Sequence, residues 1–267
     1  MTMEELAARL ESVEKELAGY KEAAAYADDY RQVTNCMMRH IYGYYFHIEE
    51  EELNKYWAID QEDVMYAHSN MAHYGYDSIY KYYVEGTNAT KAKAREIGER
   101  VYGVKYEGNA APGYRVVHIL GSPYIEIAKD RRTAQGVWMS FSTMSRMNDI
   151  GVAEPTSVIQ RFSGDFIRGE DGQWKVWHVR DYEDFHLDTG AIMPELRNGV
   201  ARPDGPSPFD NLPYNDPEFR RANGVVPLKL SAEMVYQPWT VTTQEPHLPE
   251  PYDTWADTTP NIEVIDE

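Results

Sequence analysis

A histidine, His118, lies in the middle of a segment that is otherwise mostly apolar, from Tyr114 to Leu120. In a strand, alternate side chains share a face, so Tyr114 and Val116 lie on the same side as His118. A neutral imidazole can accept a proton and return it near neutral pH, because its ordinary pKa is about 6.5. The position therefore indicates either general acid–base catalysis or a histidine that is satisfied by partners inside a core.

A second pair of chemically capable residues, Tyr66 and His68, is separated by one alanine in a short predicted strand that starts at Asp63. Residues two apart in a strand share a face, so both side chains can enter one pocket. A phenol and an imidazole can together bind and polarise a phenol or carbonyl oxygen. Packing within a core is the alternative interpretation of the pair.

A third pair, His178 and Arg180, shares a face with Val176 in the strand predicted over Trp174–Tyr182. A guanidinium group can hold a carboxylate or an oxyanion through two hydrogen bonds. The alternative for Arg180 is a structural salt bridge.

The sequence lacks the patterns of metal and cofactor sites. Eight histidines are present, but His40 and His47 are too far apart along a helix, and His68 and His73 span a predicted break after a strand. Glycine-rich nucleotide loops and a Gly-x-Ser-x-Gly elbow are also absent. We therefore expect no metal and no cofactor.

The single cysteine, Cys36, excludes an intrachain disulfide and is expected to be a buried structural thiol.

Composition restricts the class of protein. The 267 residues carry a formal net charge of −18, which opposes binding to nucleic acid and to anionic membranes. Neither an apolar run long enough to span a membrane nor a leader segment is evident, and we expect a soluble, cytoplasmic protein. The 21 tyrosines against 7 phenylalanines favour a pocket for a ring-bearing ligand or a subunit interface.

The N-terminal half is predicted to be helical. Residues 1–27 form a charged helix with a narrow stripe that includes Leu6 and Leu17, and this helix is expected to pack on the body or on a neighbouring subunit. A second helix is expected to start at Asp28-Asp29, whose acids suit a helix N-terminus. Further helices are predicted over 49–57, 75–84 and 90–101.

The following segments predict a curved antiparallel sheet. Two strand-like runs flank the polar turn Lys129-Asp-Arg-Arg, and the Asp-Gly signal at Gly172 joins two more strands, 156–168 and 174–182. Gly121-Ser122-Pro123 is expected to bend the first run. The fold class is therefore α+β, with helices followed by a curved meander.

The C-terminal segment, 191–267, combines scattered prolines with large rings such as Trp239, Tyr252 and Trp255. It is either a disordered tail or an extended arm, and the rings favour an arm that wraps a neighbouring subunit. We therefore expect a homo-oligomer, either a dimer or a trimer, with 28–190 as the central domain.

This order of elements resembles the SnoaL-like branch of the nuclear transport factor 2 fold over about residues 28–185. The residues that carry the resemblance are Glu51–Trp57 before Asp63, Gly75 with Ile79 and Tyr83, His118–Ile127 before Ala134 and Trp138, and Asp171–Val176. The resemblance implies a cone-shaped pocket enclosed by helices and a curved sheet. Family members such as scytalone dehydratase, bile acid 7α-dehydratase and a diarylpropane lyase perform acid–base chemistry, mostly without a cofactor.

The resemblance also implies roles for individual residues. His118 occupies the position of a catalytic dehydratase histidine, and Tyr45 that of a catalytic tyrosine. The family's aspartate after that tyrosine is Phe46 here, and its second histidine, near Val158 or Gln160, has no counterpart. Tyr66 and His68 complete the expected catalytic set. The residues expected to contact the substrate are Tyr44, Tyr114, Trp138, His178 and Arg180.

The leading hypothesis is a cofactor-independent lyase that acts on a hydroxylated aromatic or polycyclic molecule, as in the catabolism of aromatic compounds. It would eliminate water or cleave a carbon–carbon bond through a quinone methide. The alternatives are an isomerase or cyclase of the same fold and a non-catalytic module for small-molecule binding or assembly.

Overall fold

The computed structural model describes residues 1–68, 71–109, 111–186, 216–228 and 246–260. Its first element, helix α1, runs continuously over Met3–Phe46. Thr2 caps the helix, since its hydroxyl accepts a hydrogen bond from the Glu5 amide while the Glu5 carboxylate accepts one from the Thr2 amide. The helix ends at His47, which adopts a left-handed conformation with φ of 60°.

The predicted start of a second helix at Asp28-Asp29 is wrong, because α1 passes through these residues without a break. Asp28 does not cap a new helix but binds Arg31 and Gln32, which lie one turn further along the same helix. Asp29 is buried and accepts a hydrogen bond from Trp174 Nε1 at 3.1 Å. Asp28 and Asp29 therefore stabilise a continuous helix and its contact with the sheet.

Further helices follow α1 and cover one side of the sheet. Helix α2 spans Glu49–Tyr56 and α3 spans Gly75–Ile79. A wider π-type segment, Tyr80–Gly86, joins α3 to α4, which spans Thr87–Tyr102. The structure confirms the predicted helices but joins the last two into one run.

Among the described residues, the sheet has eight strands, in the order β3-β5-β6-β7-β1-β2-β8 with β4 beside β5. Their bounds are β1 Met65–His68, β2 Met71–Tyr74, β3 Arg115–Leu120, β4 Tyr124–Ile127, β5 Thr133–Met147, β6 Ala153–Arg168, β7 Trp174–His186 and β8 Val225–Pro227. All pairs are antiparallel except β1 with β7, which is parallel. The β4–β5 hairpin and the turn at Gly172, with φ of 77°, confirm the predicted turns.

The sheet curves around the helices, and register shifts in the β6–β7 ladder at Ile159/Gln160 and Asp165/Phe166 increase that curvature. The concave face holds the core, in which Trp57, Phe166 and Val176 are fully buried. The predicted α+β class, with a curved and mainly antiparallel sheet wrapped by helices, is confirmed.

Cys36 lies in this core with its Sγ atom 3.1 Å from the Trp174 carbonyl oxygen. Burial raises the pKa of the Cys36 thiol to about 12, so the thiol is not a nucleophile at neutral pH. The prediction of a buried structural thiol is confirmed.

The described parts of the C-terminal segment pack against this chain's own sheet. Helix α5, Pro217–Asn223, leads into β8, which pairs with β2. Tyr252 accepts a backbone hydrogen bond from Lys129 through its carbonyl oxygen, and its hydroxyl donates to Thr133. Trp255 packs on Trp177 with ring centroids 4.8 Å apart. The described parts therefore contact this chain's own sheet, and the arm across a neighbouring subunit stays a prediction. Trp239 lies outside the described residues.

Candidate active site

A cavity of about 260 Å³ lies between the concave face of the sheet and helices α1 and α4. Its wall is mostly aromatic and polar. The lining residues are Tyr44, Tyr66, His68, Tyr82, Tyr83, Gly86, Thr87, Thr90, Tyr114, Val116, His118, Met144, Arg146, Gln160, Asp181 and Glu183. Concave sites with a few convergent polar groups and shifted pKa values are where small ligands bind most often.

Two tyrosines form a hydrogen-bonded pair in this wall. Tyr44 from α1 and Tyr66 from β1 place their hydroxyl oxygens 2.6 Å apart. Burial, together with neighbouring tyrosines, raises the pKa of both phenols well above their ordinary range, so both are protonated at neutral pH. One hydroxyl donates to the other, and the pair keeps one further proton to donate to a bound oxygen.

The contacts of His118 determine which ring nitrogen carries its proton. His118 Nδ1 lies 2.7 Å from Ser142 Oγ and 3.1 Å from Gln160 Oε1. Ser142 donates its own hydroxyl proton to Gln160 Oε1, which can only accept. The proton between His118 and these two oxygens must therefore belong to Nδ1. His118 Nε2 is left with its lone pair, as a general base requires.

The surroundings of His118 keep the ring neutral. Burial lowers the pKa of His118 to about 4 and outweighs the opposing effect of the Asp181 carboxylate. The ring lies edge-on to Tyr44 and Phe162, with centroids 5.5 and 5.3 Å apart. Packing thus orients the imidazole while burial leaves it unprotonated at neutral pH.

His68 lines the same cavity in the opposite charge state. Its Nδ1 lies 2.7 and 2.8 Å from the two carboxylate oxygens of Asp181. Burial lowers the pKa of His68, but the Asp181 and Glu183 carboxylates outweigh it and raise the pKa to about 9. His68 is therefore an imidazolium at neutral pH and can donate a proton from Nε2.

A buried polar cluster, formed by His40, Glu52 and Tyr83, lies beneath the tyrosine pair. The His40 ring contacts the rings of Tyr44 and Tyr66 at centroid distances of 5.2 and 6.1 Å. These side chains contact one another, since His40 Nδ1 lies 3.6 Å from Glu52 Oε1 and the Tyr83 hydroxyl lies beside the Glu52 carboxylate. Among the described residues, His40 Nε2 has no hydrogen-bond partner. Burial and the nearby Glu52 and Glu49 carboxylates hold the pKa of Tyr83 well above its ordinary range. Unsatisfied polar groups at this depth are rare and concentrate at functional sites.

The structure brings five of the nine predicted site residues to the cavity. These residues are Tyr44, Tyr66, His68, Tyr114 and His118. The structure places Tyr45 outside the cavity, with its side chain 47% exposed. Successive residues on a helix are about 100° apart, so when Tyr44 points into the cavity its neighbour Tyr45 points out.

The structure also places Trp138, His178 and Arg180 outside this cavity. Trp138 is buried in the core against Phe166 and does not reach the cavity. His178 and Arg180 lie on the opposite face of the sheet, where His178 Nδ1 is 2.9 Å from Asp165. Arg180 borders a separate cavity of about 610 Å³, formed with residues 246–260.

A β-bulge explains why His178 and Arg180 lie on the face of the sheet opposite to the cavity. Phe166 is opposite Val176, whereas the next pair is Asp165 with His178, so Trp177 is the extra residue. The bulge moves the inward-facing positions of β7 from Val176 to Val179 and Asp181. A strict two-residue period cannot anticipate this shift.

Sequence reasoning missed that Ser142 and Gln160 fix the tautomer of His118. The register places Ser142 directly opposite His118, and Gln160 opposite Ser140 on the next strand. The signal available in the sequence was the pair Ser140 and Ser142 at alternate positions of an otherwise apolar strand.

Within the part of the chain that the structure describes, no group of three or more histidine, cysteine or acidic side chains could hold a metal ion. No helix in the same part is long and apolar enough to cross a membrane.

No known protein-family model matches the chain, and no curated protein matches it. Solved structures do resemble it. One is a candidate scytalone dehydratase from Novosphingobium aromaticivorans, with 13% identity and a TM-score of 0.46, covering 62% of this chain and 91% of that one.

Two others are a hexachlorocyclohexane dehydrochlorinase and a candidate dehydratase of the nuclear transport factor 2-like family from Streptomyces avermitilis. The first is 11% identical with a TM-score of 0.42, covering 69% of this chain and 98% of that one. The second is 14% identical with a TM-score of 0.44, covering 60% and 99%. Likeness at this level concerns the arrangement of the elements and does not carry an activity or a substrate to this chain.

Proposed function

We propose that the chain is a cofactor-independent lyase that eliminates water from a small hydroxylated aromatic carbonyl compound by acid–base chemistry. The observation that supports this most directly is the arrangement around His118. A neutral imidazole with an unprotonated Nε2 faces the same cavity as a phenol donor pair and as an imidazolium. Base, oxyanion donor and acid are the three parts that an elimination requires.

In the proposed reaction, His118 Nε2 takes a proton from the carbon next to the substrate carbonyl. The carbonyl oxygen gains negative charge and accepts a hydrogen bond from the Tyr44–Tyr66 pair. The electron pair from the broken C–H bond forms a carbon–carbon double bond as the neighbouring C–O bond breaks. The departing oxygen takes a proton from the His68 imidazolium and leaves as water.

After one turnover His118 holds one proton more than before and His68 one fewer. Proton exchange with solvent restores both, because the cavity opens to solvent beside the exposed Arg146. At neutral pH, loss of a proton from His118 and uptake of a proton by His68 are both favourable, since the pKa of His118 is about 4 and that of His68 about 9. The same groups without a leaving hydroxyl would perform an isomerisation, with His118 returning the proton to another carbon.

The size and lining of the cavity support a substrate with one substituted ring or two fused rings. An apolar cavity of about 150 Å³ holds one benzene molecule, and this cavity measures about 260 Å³. The rings of Tyr82, Tyr83 and Tyr114 supply flat apolar surface for such a ligand. A large polycyclic substrate fits this volume less well.

The experiment uses β-hydroxy aryl ketones with one or two rings, in deuterated water. NMR follows deuterium entry at the carbon next to the carbonyl, and absorbance follows formation of the unsaturated ketone. The His118→Asn variant should slow both processes at least about 100-fold. The matched control is His247→Asn, an exposed histidine outside this cavity, and it should leave both rates unchanged.

Two results would contradict the proposal. The first is a His118→Asn variant that turns over any probe at the wild-type rate. The second is binding of the probes in the cavity, seen as shifts of the Tyr44 and His118 resonances, with neither exchange nor elimination. That second result would indicate a small-molecule-binding module instead.

A further inference from the structure

The N-terminal half of α1 extends beyond the body of the molecule. Every residue from 1 to 24 is exposed, and the first buried residue of the helix is Asp29. At about 1.5 Å per residue, the helical part of this free segment, residues 3–24, is roughly 33 Å long. None of the described residues therefore buries this part of the helix.

A stripe of large apolar side chains runs along this free part. Its members are Met3, Leu6, Leu10, Val13, Leu17 and Tyr20, and each is between 44% and 80% exposed. Their spacing alternates strictly between three and four residues, which is the repeat of the a and d positions of a coiled coil. We call this stripe the heptad seam, with Met3, Leu10 and Leu17 at a, and Leu6, Val13 and Tyr20 at d.

The charges beside the heptad seam are complementary to those of a second copy. Arg9 and Glu16 precede the a residues, at position g, while Glu14 and Lys21 follow the d residues, at position e. In a parallel coiled coil, each g residue faces the e residue five positions later on the other helix. Arg9 would therefore face Glu14 of the second copy, and Glu16 would face Lys21.

An antiparallel pair of these helices would form fewer contacts between opposite charges. In an antiparallel coiled coil, g faces g and e faces e. Arg9 would then face Glu16, while Glu14 and Lys21 would face no opposite charge. The charge pattern thus favours parallel pairing of identical helices.

We propose that the heptad seam is an assembly surface, and that its occupant is the same segment of another copy of this chain in a parallel coiled coil. Because α1 is continuous to Phe46, the assembled helices lead directly into the helical wall of each cavity. The proposal is independent of the reaction proposed above.

The first test measures the mass of the full chain by sedimentation equilibrium over about a hundredfold range of concentration. Wild type should form dimers or trimers. The double variant Leu10→Asp, Leu17→Asp should shift dissociation to at least about tenfold higher concentration, with unchanged tryptophan fluorescence from the body. A wild type with the mass of one chain at every concentration would overturn the proposal, as would an oligomer that the double variant leaves intact.

The second test uses two charge variants to establish orientation and self-recognition. Variant one carries Arg9→Glu and Glu16→Lys, and variant two carries Glu14→Lys and Lys21→Glu. In parallel pairing each variant alone places like charges opposite each other, so self-association should weaken at least about tenfold. The mixture should form mixed oligomers, because every g–e contact is then attractive. Self-association that survives in each variant, with no mixed oligomer, would show antiparallel pairing and contradict the proposal.

Discussion

Two walls of one cavity hold histidines in opposite charge states. On the β3 side, His118 contacts the neutral groups of Ser142 and Gln160, and burial lowers its pKa to about 4. On the β1 side, burial acts in the same direction on His68, but Asp181 raises its pKa to about 9. The difference lies in how near each histidine is to the carboxylates of Asp181 and Glu183, which raise the pKa of both but outweigh burial only at His68. The curved sheet can therefore present a base and an acid to one ligand at one pH.

The largest expected effect follows from removing the Asp181 carboxylate. In Asp181→Asn, burial would act on His68 without its main opposing charge, and its pKa should fall from about 9 to below about 6.5. This is a loss of about 300-fold in proton affinity. An NMR titration of the imidazole carbon-bound protons measures it. Asp184→Asn is the control, because Asp184 pairs with Arg161 outside the cavity. A His68 pKa that stays near 9 would show that Asp181 is not responsible.

The two walls should also limit stability at opposite ends of the pH range. The pKa of His68 is raised on folding, so its stabilisation is complete below about pH 6.5 and is lost as pH rises through about 9. The pKa of His118 is lowered, so its contribution is complete above about pH 6.5 and is lost as pH falls towards 4. Each of these two pH-dependent contributions to the free energy of unfolding is on the order of 3 kcal/mol, or about 300-fold in the folding equilibrium.

Urea unfolding between about pH 4 and 10 tests this arrangement. In the His118→Asn variant, the free energy of unfolding should fall less steeply below about pH 6.5 than in wild type. Part of the fall should remain, since the pKa of His73 is also lowered to about 4. In the His68→Asn variant, the free energy of unfolding should fall less steeply than in wild type as pH rises towards 9. Identical profiles for wild type and both variants would refute the assigned charge states.

A smaller effect separates two adjacent residues on α1. Tyr44→Phe removes one hydroxyl of the cavity pair, and turnover or ligand affinity should fall about tenfold, as expected for one lost hydrogen bond. Tyr45→Phe is the matched control and should change neither by more than about twofold, because Tyr45 faces away from the cavity. Equal effects of both variants would show that the pair does not contact the ligand.

Local patterns were sufficient to predict much of the fold. The turn after Ala128 and the turn at Gly172 both follow from short-range preferences that the packed structure keeps. The strand period likewise placed Tyr66, His68 and His118 on the inner face. These features could be predicted because each depends on residues within a few positions of one another.

The errors arose where long-range packing decides between local alternatives. Asp28-Asp29 suits a helix start, but the hydrogen bond from Trp174 in the sheet to Asp29 stabilises a continuous helix instead. Tyr44 and Tyr45 are consecutive on the helix and differ by about 100° in direction. The apolar periodicity of the sequence does not determine which of the two faces the cavity. The bulge at Trp177 depends on the pairing of β6 with β7, two strands that the sequence does not align residue by residue.

The buried cluster of His40, Glu52 and Tyr83 has a consequence for engineering. A buried polar atom without a hydrogen-bond partner costs about 1–3 kcal/mol of folding free energy, and His40 Nε2 is such an atom, beside the buried polar groups of Glu52 and Tyr83 under the tyrosine pair. A sequence optimised for thermal tolerance alone would replace them with apolar side chains. The region beneath the cavity is therefore where selection for heat resistance is expected to favour residues other than those now present.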